Sequence, residues 1–472
     1  MKGNLTKLEA AETFYHLAGP SLPPYCQGIA CFVARHLRPE RFAQAEAQTP
    51  RLYCLGRCFA APAALEENPQ PNIEIRAPRG VVLDRIVKGE AGPDYASLRR
   101  ALGLAPEEVV REVEASELRG RGGAGFPAGK KWRAVLQQDS SEKFVVANAD
   151  EGDPGAYIDR FILERDPHLL LEGLRIAAHA VGAQRGFVYL RREYPEALEA
   201  LRRALREAAG LWPGGFDVEI VIGQGSYVCG EETALLNSIE GERPEVRTRP
   251  PYPTERGLYQ RPTLVNNVET LAAIPWILRE GGAAYRSFGF SQSRGTKVLS
   301  LNSLFRRPGL YEVEFGIKLR EVVEGIGGGL RSGALQGLIV GGPLAGVIPP
   351  SLLDTPLGFE ELRAIGAEVG HGGVVAFDER TSILELARHV FSFGAYESCG
   401  KCTPCRLGSR RMEEFFAGAG GAGERPRGLM REFERLVAAL RQTSLCGHGT
   451  GLAAFAASLD RYYRKELEAC LG

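Results

Sequence analysis

Strands and helices alternate in the middle of the chain, where the pattern of hydrophobic and polar positions is clearest. Apolar runs at 144–148, 186–190 and 216–222 have the length and composition of buried strands. Two stretches between them, 166–182 and 195–211, carry apolar residues at helical spacing. This strand, helix, strand, helix, strand order predicts right-handed crossovers and a parallel sheet, and therefore an α/β domain.

The pattern changes after this region. Short strands and turns between 297 and 340, with one short helix at 319–325, predict a small mixed α+β domain with a structural role. A capping box at 382–385 then opens an amphipathic helix, and 429–442 forms another. These helices, separated by a flexible glycine-rich loop at 418–423, predict a C-terminal helical bundle.

Length and charge narrow the possible functions. A chain of 472 residues is long enough for several domains, and its 58 basic residues equal its 58 acidic ones, which argues against nucleic-acid binding. The N-terminus lacks the apolar core of a signal peptide, and no apolar run approaches the ~20 residues of a membrane span. We therefore expect a cytoplasmic protein without membrane insertion, peripheral to the inner face of the membrane only through partners. In that reducing compartment, the ten cysteines are expected to be metal ligands or catalysts.

A glycine-rich stretch at 120–132 predicts a phosphate-binding loop. Its five glycines let backbone N–H groups approach a ligand closely, and Arg121, Lys130 and Lys131 add positive charge. Three of the glycines match the dinucleotide-binding fingerprint, but residues 107–118 before them have a helical pattern where that fingerprint needs a strand. An ordinary Rossmann motif is thus not favoured, and a plain flexible turn is the alternative.

Acidic residues follow two of the predicted strands, at the edge where parallel sheets bind ligands. The two loops combine glycine with the carboxylates of Asp150, Glu151, Asp153, Glu231 and Glu232. Carboxylates accept hydrogen bonds from ribose hydroxyls, and one at the 2′ position would repel a 2′-phosphate and favour NAD over NADP. The alternative is that single acids cap helices or pair with nearby arginines.

Two further segments offer groups that suit a nucleotide. A proline-rich loop presents Arg249 close to the ring of Tyr252, a combination that suits pyrophosphate binding and base stacking. Further along, Asn266, Asn267 and Thr270 offer two amides and a hydroxyl before an apolar stretch. A core helix with a polar cap is the alternative for these three residues.

The C-terminal cysteines have the spacing of an iron–sulfur site. Cys399, Cys402 and Cys405 form a C-x2-C-x2-C run, and Cys446 lies farther along the chain. Three cysteines at this spacing with a remote fourth are typical of a [4Fe–4S] cluster.

A second group of cysteines lies near the N-terminus. Cys26 and Cys31 form one pair, and Cys54 and Cys58 form another. Two such pairs can hold a [2Fe–2S] cluster from two loops. A structural zinc site and a metal-free remnant are the alternatives.

A nucleotide site and a one-electron cluster in one chain pose a chemical problem. NADH gives up a hydride, which carries two electrons, whereas an iron–sulfur cluster accepts one electron. A flavin solves the problem because it handles both kinds of transfer, and the glycine-rich loop suits the phosphate of FMN.

The chain at this point resembles a known family, the flavin-bearing, NADH-oxidising subunit of respiratory complex I and its relatives in NAD-linked formate dehydrogenases and hydrogenases. The resemblance covers about residues 79–472. It rests on the motifs GRGGAGFP at 120–127, NADE at 148–151, YVCGEETAL at 227–235, NNVET at 266–270 and ESCGKCTPCR at 397–406.

The resemblance implies two sets of cofactor-binding residues. FMN would be held by Arg121, Gly122, Gly123, Ala124, Lys131, Asn148, Asp150, Tyr227, Gly230, Glu231, Asn266, Asn267 and Thr270. NADH would contact Phe126, Glu151, Asp153, Glu232, Arg249 and Tyr252.

The resemblance also implies a multidomain α/β architecture of four parts. Residues 1–78 are similar to a thioredoxin-like [2Fe–2S] domain, 79–295 to a Rossmann-like parallel-sheet domain for FMN and NADH, 296–378 to a ubiquitin-like α+β domain, and 379–472 to a helical [4Fe–4S] domain. The fusion of the first part to the flavin chain is more like the hydrogenase and formate dehydrogenase relatives than like complex I.

The expected function is that of an NADH dehydrogenase or diaphorase. Hydride would pass between NADH and FMN, and single electrons would pass through the clusters to a partner such as a formate dehydrogenase or hydrogenase. The expected partners are a small thioredoxin-like [2Fe–2S] subunit and a larger iron–sulfur catalytic subunit. A complex I subunit is one alternative, and a non-catalytic iron–sulfur scaffold is another.

Overall fold

The computed structural model describes residues 15–19, 21–212, 216–417 and 428–472. The predicted glycine-rich loop at 418–423 lies outside these residues. No described helix is long and apolar enough to cross a membrane.

The segment that resembles a thioredoxin-like domain has no sheet of its own among its described residues. It contains helices at Ile29–Val33 and Pro39–Ala47. Its only described strand, β1 at Asn72–Ile75, pairs in parallel with residues 309–312 far along the chain. A thioredoxin-like fold contains βαβ units, which the described residues of this segment lack, and the likeness stays a prediction. The resemblance rested on two cysteine pairs, whose spacing indicates a metal site but does not predict where strands form.

The predicted parallel sheet is present and has four strands. They are β2 at Phe144–Ala149, β3 at Arg185–Arg191, β4 at Asp217–Gly223 and β5 at Thr263–Asn267, in the order β4-β3-β2-β5. All three pairings are parallel. The first three strands lie within one or two residues of their predicted bounds. The fourth, β5, was not predicted because it is short and ends in two asparagines.

Helices cover this sheet and complete the α/β domain. The predicted helices after β2 and β3 are found at Pro167–Val181 and Pro195–Ala208, and each begins with a proline, whose fixed φ suits the first helical turn. The helical pattern before the glycine-rich stretch forms the helix Pro106–Ala115. The remaining helices of eight or more residues in this domain are Ala128–Leu136, Ile158–Arg165 and Glu232–Ile239; shorter ones are Asp84–Lys88, Ala96–Leu102, Pro253–Arg256, Val268–Ala272, Ile274–Glu280 and Gly282–Arg286.

The small α+β domain is built on a mixed six-stranded sheet. A short hairpin, β6 at Gly289–Phe290 and β7 at Ser293–Arg294, precedes it. The sheet strands are β8 at Thr296–Leu301, β9 at Gly309–Glu314, β10 at Leu335–Val340, β11 at Val347–Ile348 and β12 at Gly373–Asp378, in the order β1-β9-β8-β12-β10-β11. The helix expected at 319–325 is a π-helical stretch, Glu321–Ile326, and Phe359–Ala364 is an α-helix. Strand β1 therefore ties the N-terminal segment to this domain.

The C-terminal region is a helical bundle, as predicted. Its helices are Ile383–Tyr396, Thr403–Ala417, Leu429–Thr443, Gly447–Tyr462 and Arg464–Leu471. Phe391 is buried against Phe416 and Phe455, with ring centroids 5.2 and 5.5 Å apart, respectively. Burial of such aromatic side chains holds the bundle together.

Candidate functional site

A large cavity of about 1320 Å³ lies at the carboxyl ends of three parallel strands, β2, β4 and β5. The helical bundle and the six-stranded-sheet domain line other parts of its wall. Most of the predicted cofactor-binding residues line it: Gly122, Gly123, Ala124, Phe126, Lys131, Asn148, Asp150, Asp153, Tyr227, Gly230, Glu231, Glu232, Arg249, Tyr252, Asn266, Asn267 and Thr270. Arg121 and Glu151 do not.

The glycine-rich stretch forms a closed loop against the end of β5. A Cβ on Gly122 would lie 2.9 Å from the Cβ of Asn267, so only glycine fits without a shift. Gly123 has a φ of 128°, a backbone conformation that residues with a Cβ atom rarely adopt. Lys131 brings its ammonium group to the same cavity, 2.7 Å from Glu232 Oε2. Bare backbone and a cation side by side fit a phosphate group.

Arg121 is placed differently from the prediction. Its guanidinium is only 2% exposed and donates hydrogen bonds to Tyr285 Oη and to the carbonyl of Arg294, both at 2.8 Å. Its backbone N–H donates to Thr270 Oγ1 at 2.8 Å. The side chain therefore supports the loop from behind, and the prediction that its charge faces the cofactor is corrected.

Asp150 offers an unused acceptor at the cavity. It is placed by Asn148, whose Oδ1 accepts from the Asp150 N–H at 3.1 Å and whose Nδ2 donates to the Gly230 carbonyl at 2.8 Å. Its buried Oδ2 has no hydrogen-bond partner among the described residues, and burial raises the pKa of this carboxyl well above its usual range. A buried polar atom needs a partner, so this atom fits a ligand with polar groups that can share a hydrogen bond with it, as FMN has.

Asp153 and Tyr227 form a linked pair on the cavity wall. The Tyr227 hydroxyl donates to Asp153 Oδ1 at 2.7 Å. The Tyr227 N–H donates to Glu397 Oε2 at 3.0 Å, which joins this wall to the helical bundle. Burial raises the pKa of Asp153.

Glu151 is a helix cap, which is the alternative considered for single acids. Its carboxylate is fully buried and accepts from the N–H groups of Ile158 at 2.6 Å, Asp159 at 3.0 Å and Arg160 at 3.1 Å, at the start of the helix Ile158–Arg165. Because these bonds turn it away from the cavity, its predicted contact with NADH is corrected.

Glu231 and Glu232 have different roles at the start of the helix Glu232–Ile239. Glu231 caps the helix by accepting from the N–H groups of Thr233 and Ala234, both at 3.0 Å, and burial raises its pKa. Glu232 pairs with Lys131. Arg249 lies 3.8 Å from Glu231 Oε1 and 3.6 Å from Glu232 Oε1.

Two aromatic rings stand open at the cavity. Phe126 and Tyr252 are each 52% exposed although both are large apolar side chains. Exposed rings on a nucleotide cavity can stack on a base.

The amides at the end of β5 are held in place by side-chain hydrogen bonds. Asn266 Oδ1 accepts from the buried Trp132 Nε1 at 2.8 Å. Asn267 Oδ1 accepts from the Thr270 N–H at 3.1 Å and so caps the helix that follows. The strand and the capped helix thus both occur here.

The C-terminal cysteines come together beside the nucleotide cavity. Cys399, Cys402, Cys405 and Cys446 surround a small space of about 10 Å³. Burial raises the pKa of Cys405 to about 12 and that of Cys446 to about 11. Thiolates are the ligands of a cluster, so cluster binding must release these protons. Cys446 lines both this space and the nucleotide cavity.

The N-terminal cysteines also come together, and all four are buried. Cys54 Sγ and Cys58 Sγ are 3.9 Å apart. Backbone N–H groups of Gly28, Gly56 and Ala63 donate to Cys26, Cys54 and Cys31, respectively, at 3.3–3.4 Å. The Cys58 thiol, with help from the charge of Arg191, lowers the pKa of Cys54 to about 7. N–H donors to sulfur are a feature of iron–sulfur sites.

The sequence interpretation missed several residues of the cavity wall, among them His371. His371 lines the cavity but belongs to the six-stranded-sheet domain, which was expected to be structural. It lies between Gly370 and Gly372, whose φ values are 52° and 94°. A histidine between two glycines was the sequence signal that could have identified His371 as a candidate site residue.

The cavity combines three features: a phosphate-binding loop, carboxylates at the edge of a parallel sheet, and a four-cysteine site that shares its wall. Together they define the class of iron–sulfur flavoproteins that exchange electrons with a dinucleotide. Comparisons with known proteins agree. Residues 113–276 match the Nuo51 FMN-binding domain family, and residues 385–470 match the NADH-ubiquinone oxidoreductase-F iron-sulfur binding region.

Similar proteins cover most of the chain. An NADH-quinone oxidoreductase F subunit of Rhizobium meliloti, the one numbered 2, is 43% identical over 80% of this chain and 93% of its own. The HndC subunit of the NADP-reducing hydrogenase of Solidesulfovibrio fructosivorans is 42% identical over 75% of this chain and 74% of its own. A crystal structure of an NAD+-reducing [NiFe]-hydrogenase in the H2-reduced state matches 99% of this chain and 88% of that chain, with a TM-score of 0.85 and 31% identity.

The chain belongs to the family of NADH-quinone oxidoreductase F subunits and their counterparts in NAD-linked hydrogenases. It is an NADH dehydrogenase-type oxidoreductase that binds FMN and a [4Fe–4S] cluster and uses NADH. The predicted chemistry is thereby confirmed.

Proposed function

We propose that the chain is the diaphorase subunit of a hetero-oligomeric complex, in which it passes electrons between NAD(H) and a hydrogenase or formate dehydrogenase partner. The observation that carries this proposal is a nucleotide cavity that shares Cys446 with the C-terminal four-cysteine site and adjoins a small space lined by Cys54. When bound, FMN supplies the conversion between hydride transfer and single-electron transfer.

The parts of the cavity suit different parts of the cofactors. The loop at Gly122 and the ammonium of Lys131 would hold the FMN phosphate, since both lie against β5: Gly122 is beside Asn267, and Lys131 Nζ donates to the Val265 carbonyl at 3.1 Å. Asp150, Asn266 and Asn267 would orient the rest of FMN with fixed polar atoms. Orientation of this kind is the main contribution a protein makes to hydride transfer.

NADH would bind across the open side. The rings of Phe126 and Tyr252 would stack on its base, and Arg249 would face its phosphates. Glu232 would accept hydrogen bonds from a ribose of NADH. Asp153, which accepts a hydrogen bond from the Tyr227 hydroxyl, would also lie near NADH.

The two cysteine groups would hold clusters of different sizes. Cys399, Cys402, Cys405 and Cys446 would bind the [4Fe–4S] cluster. We further propose a [2Fe–2S] cluster on Cys26, Cys31, Cys54 and Cys58. Support comes from their burial, from the three N–H groups directed at sulfur, and from the lack of a disulfide among them.

The N-terminal cysteine site lies close to the nucleotide cavity. A space of about 30 Å³ is lined by Cys54 together with Asp150, Gly152 and Tyr227, and these last three also line the main cavity. Both clusters would then exchange electrons with the same flavin.

Partner identity rests on the relatives. One is named as part of an NADP-reducing hydrogenase, and one solved structure is that of an NAD+-reducing [NiFe]-hydrogenase. We propose a small thioredoxin-like [2Fe–2S] subunit and a larger iron–sulfur catalytic subunit as partners. A complex I assembly is the second candidate, because the NADH-quinone oxidoreductase F subunit of Escherichia coli is 40% identical over 79% of this chain.

Anaerobic purification tests the proposal. We expect bound FMN, about six irons per chain, and NADH-dependent reduction of an artificial acceptor. About four irons would leave the [4Fe–4S] cluster and exclude the [2Fe–2S] cluster. A chain that holds iron but no flavin would be a non-catalytic scaffold. Copurified nickel or molybdenum would support the hydrogenase or formate dehydrogenase assembly, and copurified quinone-linked subunits would support complex I.

A further inference from the structure

His371 lies where the six-stranded-sheet domain meets the parallel-sheet domain, and it lines the nucleotide cavity. Its Nε2 is 3.2 Å from Glu151 Oε1 and 3.1 Å from Asp159 Oδ2. The three side chains are almost fully buried, at 6%, 0% and 1% exposure, respectively. One imidazole therefore faces two buried carboxylates.

Two adjacent buried carboxylates need a positive charge near them, because an uncompensated buried charge is costly. Burial alone would lower the pKa of His371, but the carboxylates of Asp159 and Glu151 raise it well above its usual range. This direction favours a protonated imidazole, which supplies that charge.

Other charged groups around this cluster are engaged elsewhere. Lys297 pairs with Glu269, and Arg191 pairs with Glu193. Asp153 adds one more carboxylate near the imidazole. Among the described residues, His371 is the cation at ion-pair distance from both Glu151 and Asp159.

A metal ion is the alternative occupant, since one atom from each of the three residues lies within 4.8 Å of the others. The two carboxylate oxygens nearest to Nε2 are already in use, however, whereas Asp159 Oδ1 has no hydrogen-bond partner among the described residues. Glu151 Oε1 accepts from the N–H groups of Ile158 at 2.6 Å and Asp159 at 3.0 Å. Asp159 Oδ2 accepts from Asn267 Nδ2 at 2.7 Å. An oxygen has few lone pairs to share, which favours a proton on His371 over a metal between the three.

The two carboxylates each connect to a part of the cavity wall. Asp159 holds the amide of Asn267, which stands beside Gly122 of the phosphate-binding loop. Glu151 belongs to the loop that carries Asp150 and lies directly after β2. We infer that His371 is a positioning residue for FMN: its imidazolium fixes Asp159 and Glu151 and, through them, the residues that contact the flavin.

This inference rests on FMN binding in the cavity, as proposed above, and the experiment separates the two. The holoprotein is purified anaerobically, and the Kd of FMN is measured from the fluorescence of flavin released on dilution. The variants are His371→Gln, Asp159→Asn and the double variant. His179→Gln is the matched control, because His179 lies in the same domain as Asp159, contacts the Leu104 carbonyl at 3.0 Å and does not line the cavity.

We expect His371→Gln to raise the FMN Kd at least tenfold and Asp159→Asn to raise it at least threefold. The double variant should lose clearly less than the product of the two single losses, because His371 has less negative charge to balance once one carboxylate is neutral. If the two substitutions caused independent structural defects, their increases in the FMN Kd would instead multiply. If His371→Gln fails to fold, Asp159→Asn alone tests the inference, and an unchanged Kd in that variant overturns it.

The pH dependence is a second readout. A raised pKa means that the contribution of the imidazolium is present at neutral pH and is lost as the pH rises through the raised value. The wild-type Kd should therefore rise in alkaline solution, whereas the Kd of His371→Gln should lack this rise.

Three results would overturn the inference. The first is a His371→Gln Kd within twofold of the wild type, and the second is a double variant whose losses multiply. The third is a stoichiometric metal other than iron that the wild type holds and His371→Gln loses, which would identify a metal site. A wild type that never binds FMN would instead contradict the proposed function.

Discussion

Replacement of Glu232 by glutamine tests how the cavity chooses between NADH and NADPH. Glu232 stands on the cavity wall, 2.7 Å from Lys131 and 3.6 Å from Arg249. If its carboxylate faces the ribose of the dinucleotide, it repels a 2′-phosphate. Glutamine keeps the size of the side chain, removes that repulsion and leaves two cations able to face the phosphate.

The size of the effect follows from Coulomb's law for a 2′-phosphate placed next to the carboxylate. Two like charges about 5 Å apart repel by about 0.8 kcal/mol in water and by about 3 kcal/mol at the effective dielectric of a protein surface. The Glu232 side chain is 21% exposed, which places it between these limits. We expect a change of about 1–2 kcal/mol, which is about a 5- to 30-fold rise in the ratio of kcat/KM for NADPH to that for NADH.

The assay is steady-state reduction of an artificial acceptor with each dinucleotide. Glu240→Gln is the matched control, because Glu240 pairs with Arg247 at 2.7 Å and does not line the cavity. The FMN content must be measured in both variants, since Lys131 also loses a partner in Glu232→Gln. A ratio that changes by less than twofold, with FMN retained, would refute the placement of Glu232 at the ribose.

Three further predictions concern the rings, the amides and the N-terminal cysteines. Phe126→Ala should raise the KM for NADH about 2- to 12-fold with kcat unchanged, because stacking contributes about 0.5–1.5 kcal/mol; steady-state kinetics check this, and an equal fall in kcat would contradict it. Trp132→Phe should lower the free energy of unfolding by about 1–3 kcal/mol, because Asn266 Oδ1 loses its donor; denaturant unfolding checks this, and unchanged stability would contradict it. Cys58→Ser should remove about two irons per chain and leave the FMN content unchanged; iron and flavin analysis check this, and loss of all iron would show that the two cysteine sites are not independent.

Local patterns predicted the elements that depend on local sequence. The parallel strands and their crossover helices were recognisable because apolar runs of strand length alternate with helical periodicity. Strand β5 was missed because Thr263–Asn267 is short and its two asparagines are typical of a loop or a cap. Both features are present, since Asn267 ends the strand and caps the next helix.

The sequence predicted which residues lie at the site but not which way their side chains point. Glycine spacing indicated the phosphate-binding loop, yet Arg121 turns away because Tyr285 and the Arg294 carbonyl lie behind the loop. Glu151 and Asp153 are two residues apart, but only Asp153 reaches the cavity, since three helix N–H groups hold Glu151. His371 approaches from a domain more than a hundred residues farther along the chain, and no local pattern reports such a contact.

The pairing of β1 with β9 has a consequence for any attempt to shorten the protein. Residues 72–75 are the outermost strand of the six-stranded sheet, and they cover one side of residues 309–312. A chain trimmed to begin at residue 79 would uncover a row of unpaired backbone groups along β9, and such a row invites other chains to add to it. The cysteine-bearing segment therefore also protects the edge of this sheet, and its removal would make the remaining flavoprotein prone to aggregate.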